Sequence, residues 1–388
     1  MKNINQTGLT WISFFSYAFT GALIVVTGMI MGNIANYFHI SISEMSNIFT
    51  FLNAGILISI VFNSWLMKIV SLKIQIIFGF ILTIIAILGI LYSHSILLFS
   101  INLFILGMVS GMTMSIGTFI ITNLYSGSKR GSKLLITDSF FSMSGMIFPI
   151  ITAYLLEKNI LWYWIYVLIG SIYAFITILA LNLKFPILKK ENHHESKNTE
   201  KWGLNIFLLS MAALFYILGQ LGFISWIPQY TTEIMNINMQ HAAHLVSNFW
   251  MSYMIGMWFF SFIIMFFHLN HIFIFLTGMS TILMYYFIQS TSYLILEYMI
   301  IGLGFFSSAI YTIIITLASL QTEKPSPPII NTILVCGTVG TLLTFVITSP
   351  IVQKYGLYIT LMSTNVFYAI VFFLSILIYL NNLLLRKM

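Results

Sequence analysis

In a chain this apolar, chemistry has to come from a few polar side chains, and the densest set lies between residues 216 and 229. Tyr216, Gln220, Ser225, Trp226 and Gln229 surround Gly219, Gly222 and Pro228 there. Neutral amides, a phenol and an indole can hold the hydroxyl or carbonyl groups of a small solute without the cost of burying a charge. An unpaired Gln220 in hydrocarbon would cost several kcal/mol, so its amide is expected to face a polar cavity, with an interhelical hydrogen bond and no ligand role as the alternative. Asn53, Thr113, Asn248 and Tyr311 are further candidates for solute contact, with simple packing as their alternative role. Asp138 is the only aspartate, five residues after Lys133. A carboxylate near the start of an apolar run can take up a coupling proton, or it can pair structurally with Lys133 or Arg130.

Other chemistries find no support. No nucleophile and base pair, zinc motif or glycine-rich phosphate loop with its lysine occurs, so an enzyme is not expected and no cofactor is implied. His193 and His194 are adjacent and face different ways. His241 and His244 share a helical face but have no acidic neighbours, so no metal site is expected. The single Cys336 can form no disulfide within the chain.

The elements that must carry these side chains follow from composition. Of 388 residues only 6% are charged and 59% are hydrophobic, and the mean hydropathy is +0.99. About a quarter of the residues in soluble domains are charged, so the solvent here is lipid. Continuous apolar runs of a span's length suit helices, whereas barrel strands would alternate. The runs fall at 9–37, 48–67, 74–92, 96–124, 134–156 and 161–183, then at 204–233, 243–267, 271–289, 293–320, 329–352 and 357–384. The first is too long for a signal-peptide core and lacks a small-residue cleavage site, so it is expected to remain as a span. The expectation is an all-α integral membrane protein of twelve transmembrane helices.

Charge orients it. With the N-terminus inside, fourteen of the 16 Lys and Arg residues fall on one side, and only Lys158 and Lys354 on the other. Basic loops stay cytoplasmic, so both termini are expected in the cytoplasm of a bacterial cell with the chain in its inner membrane. The net charge of +7 is therefore a membrane-orientation signal and not a nucleic-acid signal.

One hydrophilic stretch divides the chain, giving expected domains at 1–184 and 204–388 joined by a cytoplasmic linker over 185–203. A shift of 201 residues lays Gly21 on Gly222, Ser46 and Asn47 on Ser247 and Asn248, and Gly55 on Gly256 without a gap. Equal spacing at equal topological position predicts two duplicated, pseudo-symmetric six-helix bundles. The Gly28-x-x-x-Gly32 and Gly107-x-x-x-Gly111 spacings fit close packing within one chain, and a monomer is expected.

Six plus six helices, both ends inside, a long central loop and a parallel repeat resemble the major facilitator superfamily over the whole chain. The fifth run carries Gly145 and Pro149 in Ser144-Gly-Met-Ile-Phe-Pro149, similar to the superfamily's fifth helix, and the eleventh offers Gly337, Gly340 and Pro350. Between the second and third runs stands Ser64-Trp-Leu66-Met-Lys68-Ile-Val-Ser71-Leu-Lys73. Only Leu66 and Lys73 fit the superfamily's motif there. Ser64 and Ser71 replace its glycines and Lys68 its acid, so the usual inner-gate clamp is not implied.

Two stretches are similar to the fucose permease group and, more narrowly, to the TsgA family. They are Leu9-Thr-Trp-Ile-Ser13 through Gly28-Met-Ile-Met-Gly32, and Leu218-Gly-Gln-Leu-Gly-Phe-Ile-Ser-Trp-Ile-Pro228. Ser247-Asn-Phe-Trp-Met-Ser-Tyr253 and Gly304-Phe-Phe-Ser-Ser-Ala-Ile-Tyr311 agree with them. The resemblance implies a cavity lined mainly by helices 1, 4, 7 and 10. It also implies carboxylates in helices 1 and 4 for proton symport, and their aligned positions hold Gly28 and Thr113.

The expected function is secondary transport of a small neutral or zwitterionic solute, sugar-like by group resemblance, with or without a coupling ion. Gln220, Tyr216, Trp226, Gln229, Asn53, Thr113, Asn248 and Tyr311 are the candidate binding residues. Asp138, Lys133, Lys73, Gly145 and Pro149 are the candidates for coupling or gating. Partners are the lipid bilayer and the solute. The alternative is a membrane receptor or scaffold that keeps the transporter fold without carrying solute.

Overall fold

Lipid offers no partner to a backbone N–H or C=O, so each crossing segment must close its own hydrogen bonds. The computed structural model describes residues 2–125, 127–185, 203–264, 267–319, 321 and 327–387, and every regular element among them is helical. Most of the linker, with His193 and His194, lies outside the described residues. The chain divides into two units, Met1–Glu195 and Ser196–Met388.

In the first unit α1 (Lys2–Phe38), α2 (Ile42–Ile69), α3 (Leu72–Leu91), α4 (Ile96–Leu124), α5 (Gly127–Glu157) and α6 (Trp164–Asn182) follow one another through short turns. Local chemistry sets their starts. Ser41 and Glu44 form a reciprocal capping box at α2, and Ser71 accepts from the Ile74 N–H at α3. α1 packs on α5, α4 and α6, while α2 packs on α4, and α3 on α4 and α6. Of the most apolar stretch of α1, 83% is buried against 33% for α3, so α1 is central to its unit and α3 faces lipid with Ile74, Phe78, Ile81 and Ile85.

The second unit repeats this plan with three departures. It comprises α7 (Leu204–Gln229), α8 (Met239–Ile263), α9 (Leu269–Gln289), α10 (Tyr293–Ser307), α11 (Ile310–Ser319) and α12 (Pro327–Lys387). First, α7 runs into a π-helical turn, Tyr230–Ile234, just after Pro228. Proline has no N–H for the Ile224 carbonyl, and the Thr231 and Thr232 hydroxyls donate to the Ile227 and Pro228 carbonyls (2.8 and 2.7 Å). Second, the expected tenth run is two helices, α10 and α11, broken at Ser308 and Ala309 although it remains one span. Third, α12 joins the expected eleventh and twelfth runs across Gly356. Its φ of 82° lies in the left-handed region that favours glycine. A straight helix of 61 residues would measure about 90 Å, three times the hydrocarbon thickness, so α12 is two crossings.

Packing preserves the duplication more plainly than the sequence does. α7 packs on α12, α8 on α10, and α9 on α10 and α12, the same partnerships as in the first unit. A methyl group at Gly55 would overlap the Phe104 carbonyl oxygen, and one at Gly256 would lie 2.6 Å from the Phe305 carbonyl oxygen. Both residues of that contact are displaced by 201 positions. Gly107 and Gly111 likewise meet the Leu52 and Ile56 backbones, so this glycine spacing serves contact within the chain.

A second shared seam joins the third, fourth and sixth helices of each unit. Thr113 on α4 meets the Tyr173 hydroxyl at 3.0 Å, over Gly79 of α3. In the second unit the Tyr368 hydroxyl donates to Ser307 Oγ (3.3 Å), which donates to Ser280 Oγ (3.2 Å). Ser280 stands 201 residues after Gly79.

Candidate functional site

The polar residues expected on α7 separate into three roles. Trp226 is fully buried and donates from Nε1 to Thr348 Oγ1 at 2.9 Å, so its indole fastens α7 to α12. Tyr216 donates to the Ser307 carbonyl at 2.8 Å. That carbonyl sits at the end of α10, and the phenol satisfies it where the helix breaks. Gln220, one turn further along α7, is 4% exposed, and its Nε2 has no hydrogen-bond partner among the described residues. Gln229 is also buried, beside Pro228.

Around Tyr216 an aromatic and hydroxyl cluster gathers. Tyr311 stacks on it with centroids 6.4 Å apart, Tyr368 lies at 5.6 Å, and the Tyr253 hydroxyl is 3.5 Å from its own. The tyrosines of α7, α8, α11 and α12 therefore converge on one polar centre, to which α10 adds Ser307 and α9 adds Ser280. Its members Tyr253, Tyr368, Ser307 and Ser280 were not singled out from the sequence. Tyr253 and Ser307 did lie within stretches quoted for the family resemblance, which was the available signal. Tyr368 and Ser280 had none.

Other expected solute contacts lie apart from this centre. Asn248 donates to Glu297 Oε1 at 3.1 Å, joining α8 to α10. Asn53 is buried on α2, and Thr113 donates to the Val109 carbonyl (2.6 Å) besides its contact with Tyr173.

In the first unit the expected coupling residues assemble on α5. Asp138 lies 11 residues past the start of α5, about 17 Å along its axis. At 3.6 residues per turn, Asp138, Gly145 and Pro149 point within about 40° of one another. Ile147, Ile150 and Tyr154, which are exposed, fall about 120–180° away from Asp138. Asp138 is itself exposed, on the side of α5 opposite this apolar face. An intramembrane carboxylate so placed belongs on a wet or bundle-facing surface. It interacts electrostatically with Tyr17 of α1, whose hydroxyl is 2.8 Å from Thr118 Oγ1 of α4. Tyr17 and Thr118 were also missed, because only the packing of three helices brings Tyr17 to Asp138 and Thr118 to Tyr17.

Of the two expected basic partners of Asp138, Lys133 faces an aromatic ring instead, and the gating candidate Lys73 holds the end of another helix. Lys133 holds its Nζ 5.7 Å from the centre of the Tyr125 ring, and Lys73 donates to the Leu181 carbonyl at the end of α6 (2.7 Å). The side chains of Ser64, Lys68 and Arg130 lie outside the described residues. Among the described residues no group of three His, Cys, Asp or Glu side chains is placed to hold a metal ion.

Comparison with known proteins fixes the family. Residues 10–325 match the model of the Major Facilitator Superfamily. The chain belongs to the major facilitator superfamily. Within the superfamily it groups with the TsgA family. It is 71% identical over 382 residues to a protein TsgA homolog of Buchnera aphidicola subsp. Acyrthosiphon pisum, covering 98% of each chain. A protein TsgA homolog of Yersinia enterocolitica is 56% identical over 380 residues, covering 97% of this chain and 96% of that one.

Solved superfamily structures share the fold at low identity. A bacterial homologue of the human lysosomal transporter Spinster, inward-facing and occupied, superposes with a TM-score of 0.71 at 13% identity, covering 97% of each chain. The nucleoside transporter NupG gives 0.75 at 11% identity, covering 96% of this chain and 99% of that one. As a superfamily member the chain is a multi-pass inner-membrane secondary transporter, not an enzyme, and it works on a small solute in the bilayer.

Proposed function

We propose that this transporter carries a small neutral or zwitterionic solute, sugar-like in its hydroxyl groups, by alternating access. In this proposal the six-helix bundles 1–184 and 204–388 are the working units, joined by a cytoplasmic linker over 185–203, and both termini are cytoplasmic. The transporter works as a monomer. Gln220 is the carrying observation. A buried amide N–H with no acceptor costs about 1–3 kcal/mol, and a solute oxygen would relieve that cost only while it is bound. Tyr216 and Tyr311 add aromatic surface one turn away, Asn53, Thr113, Asn248, Trp226 and Gln229 shape or support the path, and no charge is placed on α7 between Leu204 and Gln229.

Asp138 is the proposed coupling group, with Gly145 and Pro149 on the same face of α5 as the points where that helix yields. Lys133 and Lys73 tie the ends of helices through Tyr125 and Leu181, and so set the gate mechanically. Comparison of metabolites inside cells and in their medium, with and without expression, identifies the solute. Proteoliposomes loaded with that solute then test the flux.

A second function is favoured by one observation. The motif between α2 and α3 lacks its acid, and its Lys73 is committed to α6, which suits a receptor or scaffold that binds solute without carrying it. Binding without flux in proteoliposomes would establish that function in place of transport.

A further inference from the structure

We propose that the second unit carries another binding site, for a neutral polyhydroxylated molecule of monosaccharide size, at the end of α7 where the π-helical turn begins. A cavity of about 350 Å³ lies there, lined by Tyr230, Gln289, Ser290, Thr291 and Tyr358 among others. Sites for small molecules start at about 300 Å³. The lining contains no ionisable acid or base other than the two phenols, which selects a neutral ligand.

Its polar groups suit hydroxyls. Gln289 donates from Nε2 to the Tyr358 hydroxyl at 2.8 Å, which leaves that O–H to donate and the Gln289 carbonyl to accept. Tyr230 donates to the Ile288 carbonyl at 3.2 Å and keeps lone pairs for a ligand O–H. Two tyrosine rings offer flat apolar surface for the C–H face of a sugar ring, beside the hydroxyls of Ser290 and Thr291.

The duplicated unit supplies an independent observation. A shift of 201 residues takes Tyr230 to Met29, Gln289 to Leu88 and Ser290 to Gly89. Met29 is buried and apolar, Leu88 is 47% exposed, and the space over Gly89 is filled by the Asn102 side chain. α1 continues there as unbroken α-helix to Phe38, whereas α7 turns π-helical at Tyr230. The fold therefore does not require these polar residues or this turn. They mark a change confined to one unit, and π-helical turns recur at functional sites. Gln220 lies ten residues earlier on α7, about 15 Å along its axis, so this cavity is distinct from the proposed transport site.

Purified full-length protein in detergent, probed with D-glucose, D-galactose and mannitol by saturation-transfer NMR and thermal shift, tests the assignment. At least one probe binds wild-type protein. Combining Tyr358→Phe with Gln289→Ala weakens that binding about tenfold, the effect of losing one or two hydrogen bonds. Thr291→Trp, in an exposed turn, fills the cavity and abolishes binding even if the double variant folds poorly. Leu98→Ala, on the exposed face of α4, leaves it intact. Failure of every probe to bind wild-type protein would overturn the site, as would binding that survives Thr291→Trp. Loss of binding in Gln220→Ala alone would also overturn it, and would place the ligand at the α7 centre instead.

Discussion

At the scale of single residues, an amide N–H with no acceptor among the described residues differs from an indole that is already engaged. Gln220→Ala removes a donor that no other protein group needs, so it weakens solute binding by about tenfold, measured as a dissociation constant, while thermal stability holds. Retained affinity would remove Gln220 from the site. Asp138→Asn keeps the shape of a carboxyl side chain and removes its charge, and it slows solute movement at pH 7. Initial rates across a pH series check this, and rates equal to wild type at every pH would exclude Asp138 from the mechanism. Both residues were legible in the sequence, since an amide and a lone aspartate stand out in apolar runs. Tyr17 and Thr118 were not, because a phenol and a hydroxyl are common there and only the packing of α1, α4 and α5 brings Tyr17 to Asp138 and Thr118 to Tyr17. The partners of Lys133 and Lys73 were hidden for the same reason.

At the scale of elements, glycine seams hold each unit together, and they are matched across the duplication. A side chain at Gly55 or Gly256 would meet a main-chain carbonyl, which cannot swing aside as a flexible side chain does. Gly55→Ala and Gly256→Ala are each expected to lower stability by about 1–3 kcal/mol, as overpacking does, read from thermal unfolding in detergent. Equal losses would show that the two seams carry equal load. A wild-type melting curve for either variant would show that the seam relaxes at no cost. Apolar length made the helices readable, but not the break between α10 and α11, because no proline marks Ser308 and Ala309. The bond from Tyr216 to the Ser307 carbonyl supports that break from a different helix, 91 residues away in sequence. The π-helical turn after α7 was equally invisible, since Pro228 signals a disturbed helix and not the form the disturbance takes.

For the whole molecule, run length and one-sided charge foretold twelve crossings because the bilayer enforces both rules at once. Orientation follows from the same charges and is directly testable. In a Cys336→Ser background, Lys158→Cys and Lys354→Cys react with a membrane-impermeant maleimide added to intact spheroplasts, and Lys73→Cys reacts only after lysis. The reverse pattern would invert the topology. The duplication was faint in the residues and clear in the packing, since selection on contacts between helices tolerates changes in the side chains that make them. Gly356 bears on how the last two crossings can move. One left-handed residue turns the chain between the last two crossings without a longer loop. A join with so little slack ties the depth of one crossing to that of its neighbour, so a slide of either along the membrane normal carries the other with it.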